Sequence, residues 1–402
     1  MRPGSRRLPI CFPLTSDYAY FAYNNTYQEP SVLMSTGGLR MWYYGQVGGV
    51  WGIYTASSNN GANWTVDRTP ALMRGVNGSW DSGSVHGPSS VLYNGTGYTM
   101  YFTGNNNTSL QSLSIGVAFS ADGVHWKEYS ANPVLKPGPD PYDSTWIMNP
   151  SVVLRNGTYY MWYTGRSSPD FRTPGGIYPF YAINLATSHD GIHWTKYTGN
   201  PVFLGAPDQI LLGKSVVGHP DVLDVNGTLI MLYGDGDSIR YATSYDGIRW
   251  TPTHYDLVNS EQAYWKSGYT SEPSALLNGT RLTLWYYGQS PLKYSSPYIA
   301  GIGLAYCGLV IVPVKATTTV VSTSTTTVTF PNVTVTQTEA ASKELGYYQA
   351  LSVGLAVAAV VMAALVVLVR RLGRRPWSHT PTRQLTMPNE IGARQMEGLR
   401  SF

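Results

Sequence analysis

The sequence predicts an all-β protein, namely a five-bladed β-propeller followed by a Thr/Ser-rich stalk and one C-terminal transmembrane helix. Three observations support this fold class. A strand–turn–strand unit that opens with a proline occurs five times, and four of these units are followed by a second motif that ends in tryptophan. An uncharged run of 23 residues precedes a cluster of arginines near the C-terminus. Aromatic residues reach 13% against 12% charged residues, a balance that favours strands over exposed helices.

The five repeated units share an opening proline and an aromatic strand that ends in glycine. They read EPSVLMSTGGLRMWYYGQ (29–46), GPSSVLYNGTGYTMYFTGN (87–105), NPSVVLRNGTYYMWYTGR (149–166), HPDVLDVNGTLIMLYGDG (219–236) and EPSALLNGTRLTLWYYGQ (272–289). Their prolines are 58, 62, 70 and 53 residues apart, a period that indicates a repeat architecture. In four of the five units the preferred hairpin turn Asn-Gly lies between the two strands. Each unit therefore predicts the two inner strands of one blade.

A third strand and a short tail follow each of the first four hairpins. The tails are SSNNGANW (57–64), SADGVHW (120–126), SHDGIHW (188–194) and SYDGIRW (244–250). Asn-Gly or Asp-Gly turns the chain into a fourth strand, and the tryptophan can pack between neighbouring sheets. Four strands in each of five units, without helical periodicity, predict a five-bladed propeller over residues 17–315.

The outer strand of the fifth blade must come from another part of the chain. The N-terminal segment 1–16, with LPICFPL, is one candidate, and GLVIVPV after Cys307 is the other. Cys11 and Cys307 are the two cysteines of the sequence. In an oxidising exterior we expect them to form a disulfide that locks the ring, the alternative being two unrelated thiols.

The C-terminal quarter predicts attachment to a membrane. Residues 316–346 are rich in Thr, Ser and Val and predict an extended, glycosylated stalk. Residues 347–369 would reach roughly 35 Å as a helix, enough to cross a bilayer core of about 30 Å; the alternative is a buried core helix. The arginines that follow place the basic tail, 370–402, in the cytoplasm and the propeller outside the cell membrane. The first residues contain no apolar stretch of signal-peptide length, so either a start upstream or insertion through the C-terminal helix is needed.

The charge distribution argues against nucleic-acid binding. The net charge is +4, but the tail from Arg370 contains seven Arg and two Glu, which leaves the rest of the chain at −1. A propeller with that charge has no basic surface for a phosphate backbone.

Ten N-x-S/T sequons are consistent with an exposed domain. They are Asn24, Asn63, Asn77, Asn94, Asn106, Asn107, Asn156, Asn226, Asn278 and Asn332, of which Asn94, Asn156, Asn226, Asn278 and Asn332 are our glycosylation candidates. Four of them belong to NGT turns, and turn geometry explains these without a glycan.

The residue before each proline is the variable position of the repeat. Proline inside a sheet tends to occupy the first residue of a strand, so this position lies at the mouth of the axial channel. It is held by Glu29, Gly87 (after His86), Asn149, His219 and Glu272. The second strand of each hairpin returns to the same mouth and brings Gln46, Asn105, Arg166, Asp235 and Gln289. We therefore expect two polar rings to face one cavity.

Glu29 and Glu272 belong to blades that become neighbours when the ring closes. We expect each carboxyl to perturb the protonation of the other, and a carboxyl pair is the basic requirement for glycoside hydrolysis. The alternative is that the polar residues satisfy strand ends and hold water in a channel too narrow for ligands. His86 and His219 are either hydrogen-bonded structural groups or, with the two Glu, metal ligands. Because no tight ligand spacing occurs, we expect no metal and no cofactor.

These motifs carry a family resemblance. WDSGSVHGPSSVLYNGTGYTMYFTG, PYDSTWIMNPSVVLRNGTYYMWYTG and the S-x-DG-x-x-W tails resemble the five-bladed propeller glycoside hydrolases, the group that contains families 43, 32, 62 and 130. The resemblance covers about residues 17 to 307. It implies an oligosaccharide, polysaccharide or glycoconjugate as partner and, as in family 43, an inverting mechanism with an acid, a base and a third carboxylate that tunes the acid.

The match to the three-carboxylate set is incomplete. Glu29 and Glu272 fit the inner-strand position, whereas Asn149 and His219 occupy it in blades 3 and 4. The candidate substitutes are Asp81, Asp143, Asp221 and Asp235, for which turn capping is the alternative.

The leading hypothesis from the sequence is a cell-surface glycosidase with Glu272 as proton donor and Glu29 as base. Arg166, Asn149, His86 and His219 would orient sugar hydroxyls, and Trp80 or Trp146 would stack on a ring face. The alternative is a non-catalytic surface or envelope protein that binds a glycan or a protein, and a third reading is a purely structural coat protein with a closed channel.

Overall fold

The computed structural model describes most of the first 306 residues together with several backbone strands. Side chains are described for residues 27–35, 37–106, 113–167, 181–205, 217–253, 255–259, 266–290 and 300–306. Only the backbone is described for 7–9, 171–173, 176–178, 307–311, 322–330 and 333–341. The chain divides into two compact units, Met1–Val314 and Lys315–Phe402.

The first unit is the five-bladed propeller that the repeats predict. Blade 1 consists of β2 (Tyr27–Ser35), β3 (Gly38–Val47), β4 (Val50–Ser58) and β5 (Thr65–Val66), and blade 2 of β6 (Ser84–Tyr93), β7 (Tyr98–Asn105), β8 (Ser114–Ser120) and β9 (Lys127–Glu128). Blade 3 consists of β10 (Trp146–Arg155), β11 (Thr158–Arg166), β14 (Tyr181–Ser188) and β15 (Thr195–Lys196), with the hairpin β12 (Phe171–Thr173) and β13 (Gly176–Tyr178) inserted. Blade 4 consists of β16 (Gly218–Val225), β17 (Thr228–Gly234), β18 (Ser238–Ser244) and β19 (Thr251–Pro252), and β20 (Val258–Asn259) also pairs with β18. A single 3₁₀ turn, Pro141–Asp143, precedes β10.

Blade 5 is completed by the N-terminus. Its strands are β21 (Tyr269–Asn278), β22 (Arg281–Gln289) and β23 (Ala300–Ile311), and β1 (Arg7–Pro9) pairs with β23 as the fourth strand. The register is antiparallel and runs from Arg7 opposite Ile311 to Pro9 opposite Leu309. Of the two candidate segments, the N-terminal one therefore supplies the outer strand, and GLVIVPV begins as the end of β23. Cys11 and the side chain of Cys307 lie outside the described residues, so the disulfide stays a prediction.

The second unit contains one described hairpin. Its strands are β24 (Ser322–Phe330) and β25 (Val333–Ala341), which pair antiparallel within the predicted stalk. The predicted transmembrane segment, 347–369, and the tail, 370–402, lie outside the described residues. Within the part of the chain that the structure describes, no helix has the length and apolar character needed to span a membrane.

Packing between blades explains the aromatic composition. In the described residues, five buried apolar clusters lie between successive blades, including one between blades 5 and 1 that contains Trp285, Met41 and Tyr43. Each cluster joins the second and third strands of one blade to the neighbouring sheet. The apolar faces of neighbouring blades therefore cover one another around the ring.

The tail tryptophans pack as the sequence predicts. Trp126 of blade 2 meets Trp42 of blade 1 edge to face, with ring centroids 6.0 Å apart, and the Trp42 indole N–H donates to the Gly123 carbonyl at 2.8 Å. A Cβ at Gly123, where φ is +75°, would lie 3.1 Å from the Trp42 ring. The same arrangement joins Trp194 to Tyr101, Trp250 to Trp162 and Trp64 to Trp285. The S-x-DG-x-x-W tail is therefore a device for packing one blade on the preceding one.

The inner strand of every blade contains a bulge at its proline. The register between the two inner strands shifts there, for example between Gln28 and Ser31. The residue before the proline adopts left-handed backbone in all five blades, with φ of 55° at Glu29, 40° at Gly87, 51° at Asn149, 53° at His219 and 58° at Glu272. A non-glycine residue in this conformation costs about 1–3 kcal/mol, and such residues cluster at functional sites.

Candidate active site

Four of the five residues that precede the prolines surround one small gap on the propeller axis. Glu29, Asn149, His219 and Glu272 line it, together with Ser89 and three of the prolines. The gap has a volume of about 10 Å³, which is room for about one water molecule. Glu29 and Glu272 are only 6% and 9% exposed. The bulge therefore brings the predicted residues together, but in a closely packed arrangement.

Glu29 and Glu272 are direct neighbours across the seam between the first and last blades. The Glu29 backbone N–H donates to Glu272 Oε2 at 2.8 Å. Glu29 in turn accepts a hydrogen bond from the Gly87 backbone N–H to Oε2 at 2.7 Å and one from Asn149 Nδ2 to Oε1 at 3.0 Å. Burial, reinforced by the negative charge of Glu29, raises the pKa of Glu272 well above its usual range. Burial thus favours the protonated form of Glu272.

The two glutamates also take the place of threonines that hold the other blades. In blades 3 and 4, the backbone N–H of the residue before the proline donates to a threonine hydroxyl of the preceding blade: Asn149 to Thr103 at 3.2 Å and His219 to Thr164 at 2.8 Å. These threonines belong to the TG pairs of the repeat. Blades 1, 4 and 5 have YG pairs instead. In blades 1 and 5 the carboxylates of Glu29 and Glu272 accept the corresponding N–H groups of the next blade. The two glutamates thus join neighbouring blades by hydrogen bonds, in addition to any catalytic role.

A second ring of hydrogen bonds joins the inner strands just past the prolines. The backbone N–H of one blade donates to a side-chain oxygen of the preceding blade: Val32 to Ser274, Val152 to Ser90, Val222 to Ser151 and Ala275 to Asp221. Asp221 accepts at 2.7 Å, and burial raises its pKa to about 7. Asp221, a candidate substitute acid, thus occupies the position of a joining serine.

Asp81 and Asp143 are buried away from the central gap. Asp81 accepts hydrogen bonds from the Gly75 backbone N–H at 3.0 Å and the Ser79 hydroxyl at 2.7 Å. Asp143 accepts from the Tyr163 hydroxyl at 2.8 Å and forms an ion pair with Lys196 at 2.5 Å. Neither is among the residues that line the gap. Their WDS and YDS contexts position loops that lead into the inner strands.

Lys196 and Glu128 occupy matching positions in blades 3 and 2. Each pairs with the equivalent alanine of the third strand, Ala186 for Lys196 and Ala118 for Glu128. Blade 3 therefore has a lysine beside its buried aspartate, whereas blade 2 has a second carboxyl beside Asp81. Burial and the negative charge of Asp81 raise the pKa of Glu128 to about 7.

The residues predicted at the ends of the second strands have local partners. Gln46 Nε2 donates to the Gly49 carbonyl at 3.1 Å, and Gln289 accepts from the Tyr287 hydroxyl at 2.9 Å. Asn105 accepts from the Ser84 hydroxyl at 2.9 Å. None of the three lines the central gap. The hairpin geometry explains this, because the end of each second strand lies next to polar groups of its own blade and pairs with them.

Two further predicted residues lie in blades 3 and 4. Asp235 is ion-paired with Arg240 at 3.0 Å, and burial raises its pKa although Arg240 opposes this. Arg166 is half-buried at the end of β11, opposite Trp146 in the register. Like the three preceding residues, neither lines the gap, so the second predicted ring is not part of it.

A cleft of about 600 Å³ opens beside the gap between blades 1 and 2. Its walls include Tyr44, Trp51, Arg74 and Ser84, and we refer to it as the blade 1–2 cleft. The Tyr44 ring stacks on Trp51 with centroids 5.2 Å apart and lies 4.7 Å from the ring of His86. Burial lowers the pKa of His86, and the charge of Glu29 partly opposes this.

A second cleft, of about 270 Å³, lies on the other side of the gap. Its walls include Trp146, Tyr181, His219, Tyr269 and Ser271, and we refer to it as the blade 3–5 cleft. His219 belongs to both the gap and this cleft. Of the two predicted stacking residues, Trp146 is in the cleft wall.

Trp80, the other predicted stacking residue, packs under blade 2. Its ring is 5.6 Å from that of Phe102, and it lines neither cleft. Among the described residues, no group of three or more His, Cys, Asp or Glu is arranged to hold a metal ion.

Sequence reasoning found Trp146 and His219 of the blade 3–5 cleft but missed most other wall residues of the two clefts. Among them are Tyr44 of blade 1, Tyr181 of blade 3, and Tyr269 and Ser271 of blade 5, and no local motif connects the three blades. A signal for the joining serines was present, since serine follows proline in EPS, NPS and EPS.

Comparisons with known proteins agree with this architecture. The model of the glycosyl hydrolases family 32 N-terminal domain matches residues 88–277. An uncharacterized protein of Mycobacterium tuberculosis, with the same match in two strains, is 30% identical over 193 residues, which are 46% of this chain and 60% of the relative. The match thus spans less than two thirds of the length of that curated relative.

Several solved structures share the fold. A family 117 glycoside hydrolase of the marine bacterium Zobellia galactanivorans superposes with a TM-score of 0.57 at 14% identity, over 74% of this chain and 91% of that one. A thermostable family-43 glycoside hydrolase gives 0.54 at 16% identity, over 70% and 89%. The GH32 beta-fructofuranosidase of Bombyx mori gives 0.50 at 16% identity, over 71% and 62%. The chain is a five-bladed β-propeller with the fold of these glycoside hydrolases.

Proposed function

We propose that this protein is a cell-surface glycosidase that acts on a glycan through Glu272 and Glu29. The observation that carries the proposal is the direct contact of Glu29 with Glu272 in the axial gap, where burial also raises the pKa of Glu272. A carboxyl that keeps its proton next to a second carboxyl is the combination that glycoside hydrolysis requires. In this proposal Glu272 donates the proton to the leaving oxygen and Glu29 acts as base, and residues 347–369 anchor the protein in the membrane.

The two clefts support a substrate that approaches the gap from the side. The wall of the blade 1–2 cleft contains the stacked rings of Tyr44 and Trp51, and that of the blade 3–5 cleft contains Trp146 and Tyr181. Aromatic faces are the usual surfaces for the apolar face of a sugar ring. In this proposal Asn149 and His219, which border the gap, orient hydroxyl groups of the substrate.

Release of reducing sugar from a panel of nitrophenyl glycosides and plant, fungal and bacterial polysaccharides tests the proposal. Glu272→Gln and Glu29→Gln are the variants, because glutamine Oε1 can still accept the backbone N–H that each glutamate holds. Loss of general acid or base catalysis lowers kcat by about 10²- to 10⁴-fold. Full activity in both variants would remove the assignment.

A second candidate function is non-catalytic glycan binding on the same fold. It is favoured by the axial gap of about 10 Å³ and by the exchange of the Thr103 and Thr164 contacts for those of Glu29 and Glu272. In that case the glutamates are structural acceptors between blades. A glycan array that gives saturable binding, together with no turnover of any bound glycan, would select this function.

A further inference from the structure

The blade 3–5 cleft has a composition that differs from that of the rest of the site. None of the described residues that line it is Asp, Glu, Lys or Arg. Trp146 and Tyr181 stand in its wall with ring centroids 5.3 Å apart and planes tilted by 55°. The blade 1–2 cleft, in contrast, contains Arg74. An ionised ligand group buried in the blade 3–5 cleft would lack a counter-charge, which is costly.

His219 supplies the polar contact of this cleft. Its Nε2 lies 3.5 Å from the Tyr269 hydroxyl, and its buried Nδ1 has no hydrogen-bond partner among the described residues. Burial lowers the pKa of His219 to about 4, so the imidazole is uncharged at neutral pH. A neutral imidazole offers one donor and one acceptor, and a hydroxyl group can pair with either.

The space in the cleft is maintained by glycines. A Cβ at Gly234 would collide with Ser271, and a Cβ at Gly218 would lie 3.0 Å from Thr164. The resulting volume, about 270 Å³, is near the lower limit of about 300 Å³ for small-molecule sites. It therefore suits one ring of a saccharide.

We infer that the blade 3–5 cleft is a subsite for one uncharged sugar ring, which Trp146 and Tyr181 hold by its apolar face and His219 by a hydroxyl group. The inference rests on the proposed action on a glycan and adds the chemical class of the ring and its place beside blade 4. His219 connects the cleft with the axial gap, so a ring in the cleft lies next to Glu272 along β21.

Saturation-transfer NMR on the purified full chain tests this inference. The probes are D-galactose, D-mannose, L-arabinose and D-fructose, with D-galacturonate as the charged counterpart of D-galactose. We expect at least one neutral sugar to bind in preference to galacturonate. We also expect its binding to shift the ¹⁵N signal of the His219 ring, which a merely structural histidine would not show.

Two variants on the cleft have matched controls at exposed positions away from both clefts. His219→Asn introduces the residue that blade 3 carries at the same left-handed position, Asn149, and Tyr269→Phe removes one hydroxyl. Each should weaken binding about threefold to tenfold, the usual effect of one lost hydrogen bond. His125→Asn and Tyr93→Phe, whose side chains are exposed and line neither cleft, should leave the affinity within twofold.

The outcomes separate this inference from the proposed hydrolysis. If no neutral probe binds, or if galacturonate binds more tightly, the subsite is overturned. Glycan hydrolysis that depends on Glu272 would still stand in that case. Neutral-sugar binding that the His219 variant weakens, in a protein that turns over no glycan, supports the subsite while the proposed catalysis fails. Equal weakening by the cleft variants and by the two exposed control variants overturns the subsite.

Discussion

Replacing Glu128 by glutamine should remove part of the pH dependence of folding stability. Glu128 is half-buried in β9 beside Asp81, and its Oε2 accepts hydrogen bonds from Asn132 Nδ2 at 3.3 Å and Trp80 Nε1 at 3.4 Å. Glutamine keeps an acceptor for these donors but has no proton to lose. The change therefore isolates the repulsion between two carboxyl groups under blade 2.

The sign and size of the effect follow from the raised pKa of Glu128. The folded protein holds this proton more tightly than the unfolded chain, because its pKa rises from 4.5 to about 7. The stabilisation is fully present below about pH 4.5 and is lost as the pH rises through about 7. A shift of this size corresponds to about 3 kcal/mol. Since Glu128 is partly exposed, solvent screening reduces the expected loss to about 1–2 kcal/mol.

Urea unfolding at pH 5 and pH 8, followed by tryptophan fluorescence, measures this loss. We expect the free energy of unfolding of the native protein to fall by about 1–2 kcal/mol more than that of the Glu128→Gln variant. Glu128→Lys reproduces the lysine–aspartate pair of blade 3 and should also flatten the profile. Equal pH dependence in the native protein and both variants would refute the reasoning.

Three further predictions concern the core, the joining ring and the closing strand. Trp162→Ala should lower the free energy of unfolding by about 3–5 kcal/mol, because the ring is fully buried between blades, whereas Trp51→Ala, which is 43% exposed, should cost less than about 1 kcal/mol in the same assay. Asp221→Ser restores the serine of the neighbouring blades. Burial raises the pKa of Asp221 to about 7, so the native protein loses stability as the pH rises through that value, and the variant should gain stability above pH 7 relative to pH 5. An unchanged pH profile of the free energy of unfolding would contradict this. If the register of β1 and β23 continues by two residues, Cys11 meets Cys307, and mass spectrometry of unreduced peptides should find them joined; two free thiols would contradict the pairing.

The blade count could be predicted from the sequence because the required signals are local. Asn156 and Asn226, each followed by glycine, adopt the left-handed conformation of a two-residue hairpin turn, as NGT predicts. The tail tryptophans could be assigned to inter-blade packing for the same reason, since their spacing from Asp-Gly is fixed within seven residues. Each of these features depends on neighbours in the chain.

The candidate site was only partly predictable, because its contacts join distant residues. The proline frame indicated that Glu29 and Glu272 lie at the channel mouth, and they meet there. The left-handed backbone that turns them toward the axis contradicts the usual preference of a residue before proline, so no local rule predicts it. The replacement of threonine by glutamate as the acceptor between blades becomes visible only when the second strand of one blade is compared with the first strand of the next.

The seam between the first and last blades has a consequence for biosynthesis. Glu29 is translated more than two hundred residues before Glu272, and the hydrogen bond between them spans 243 positions. On the ribosome, blades 1 to 4 can be complete before Glu272 has been synthesised. A nascent or truncated chain that lacks blade 5 therefore cannot assemble the carboxyl pair, and any chemistry of that pair becomes available only after the whole circle has been synthesised and joined.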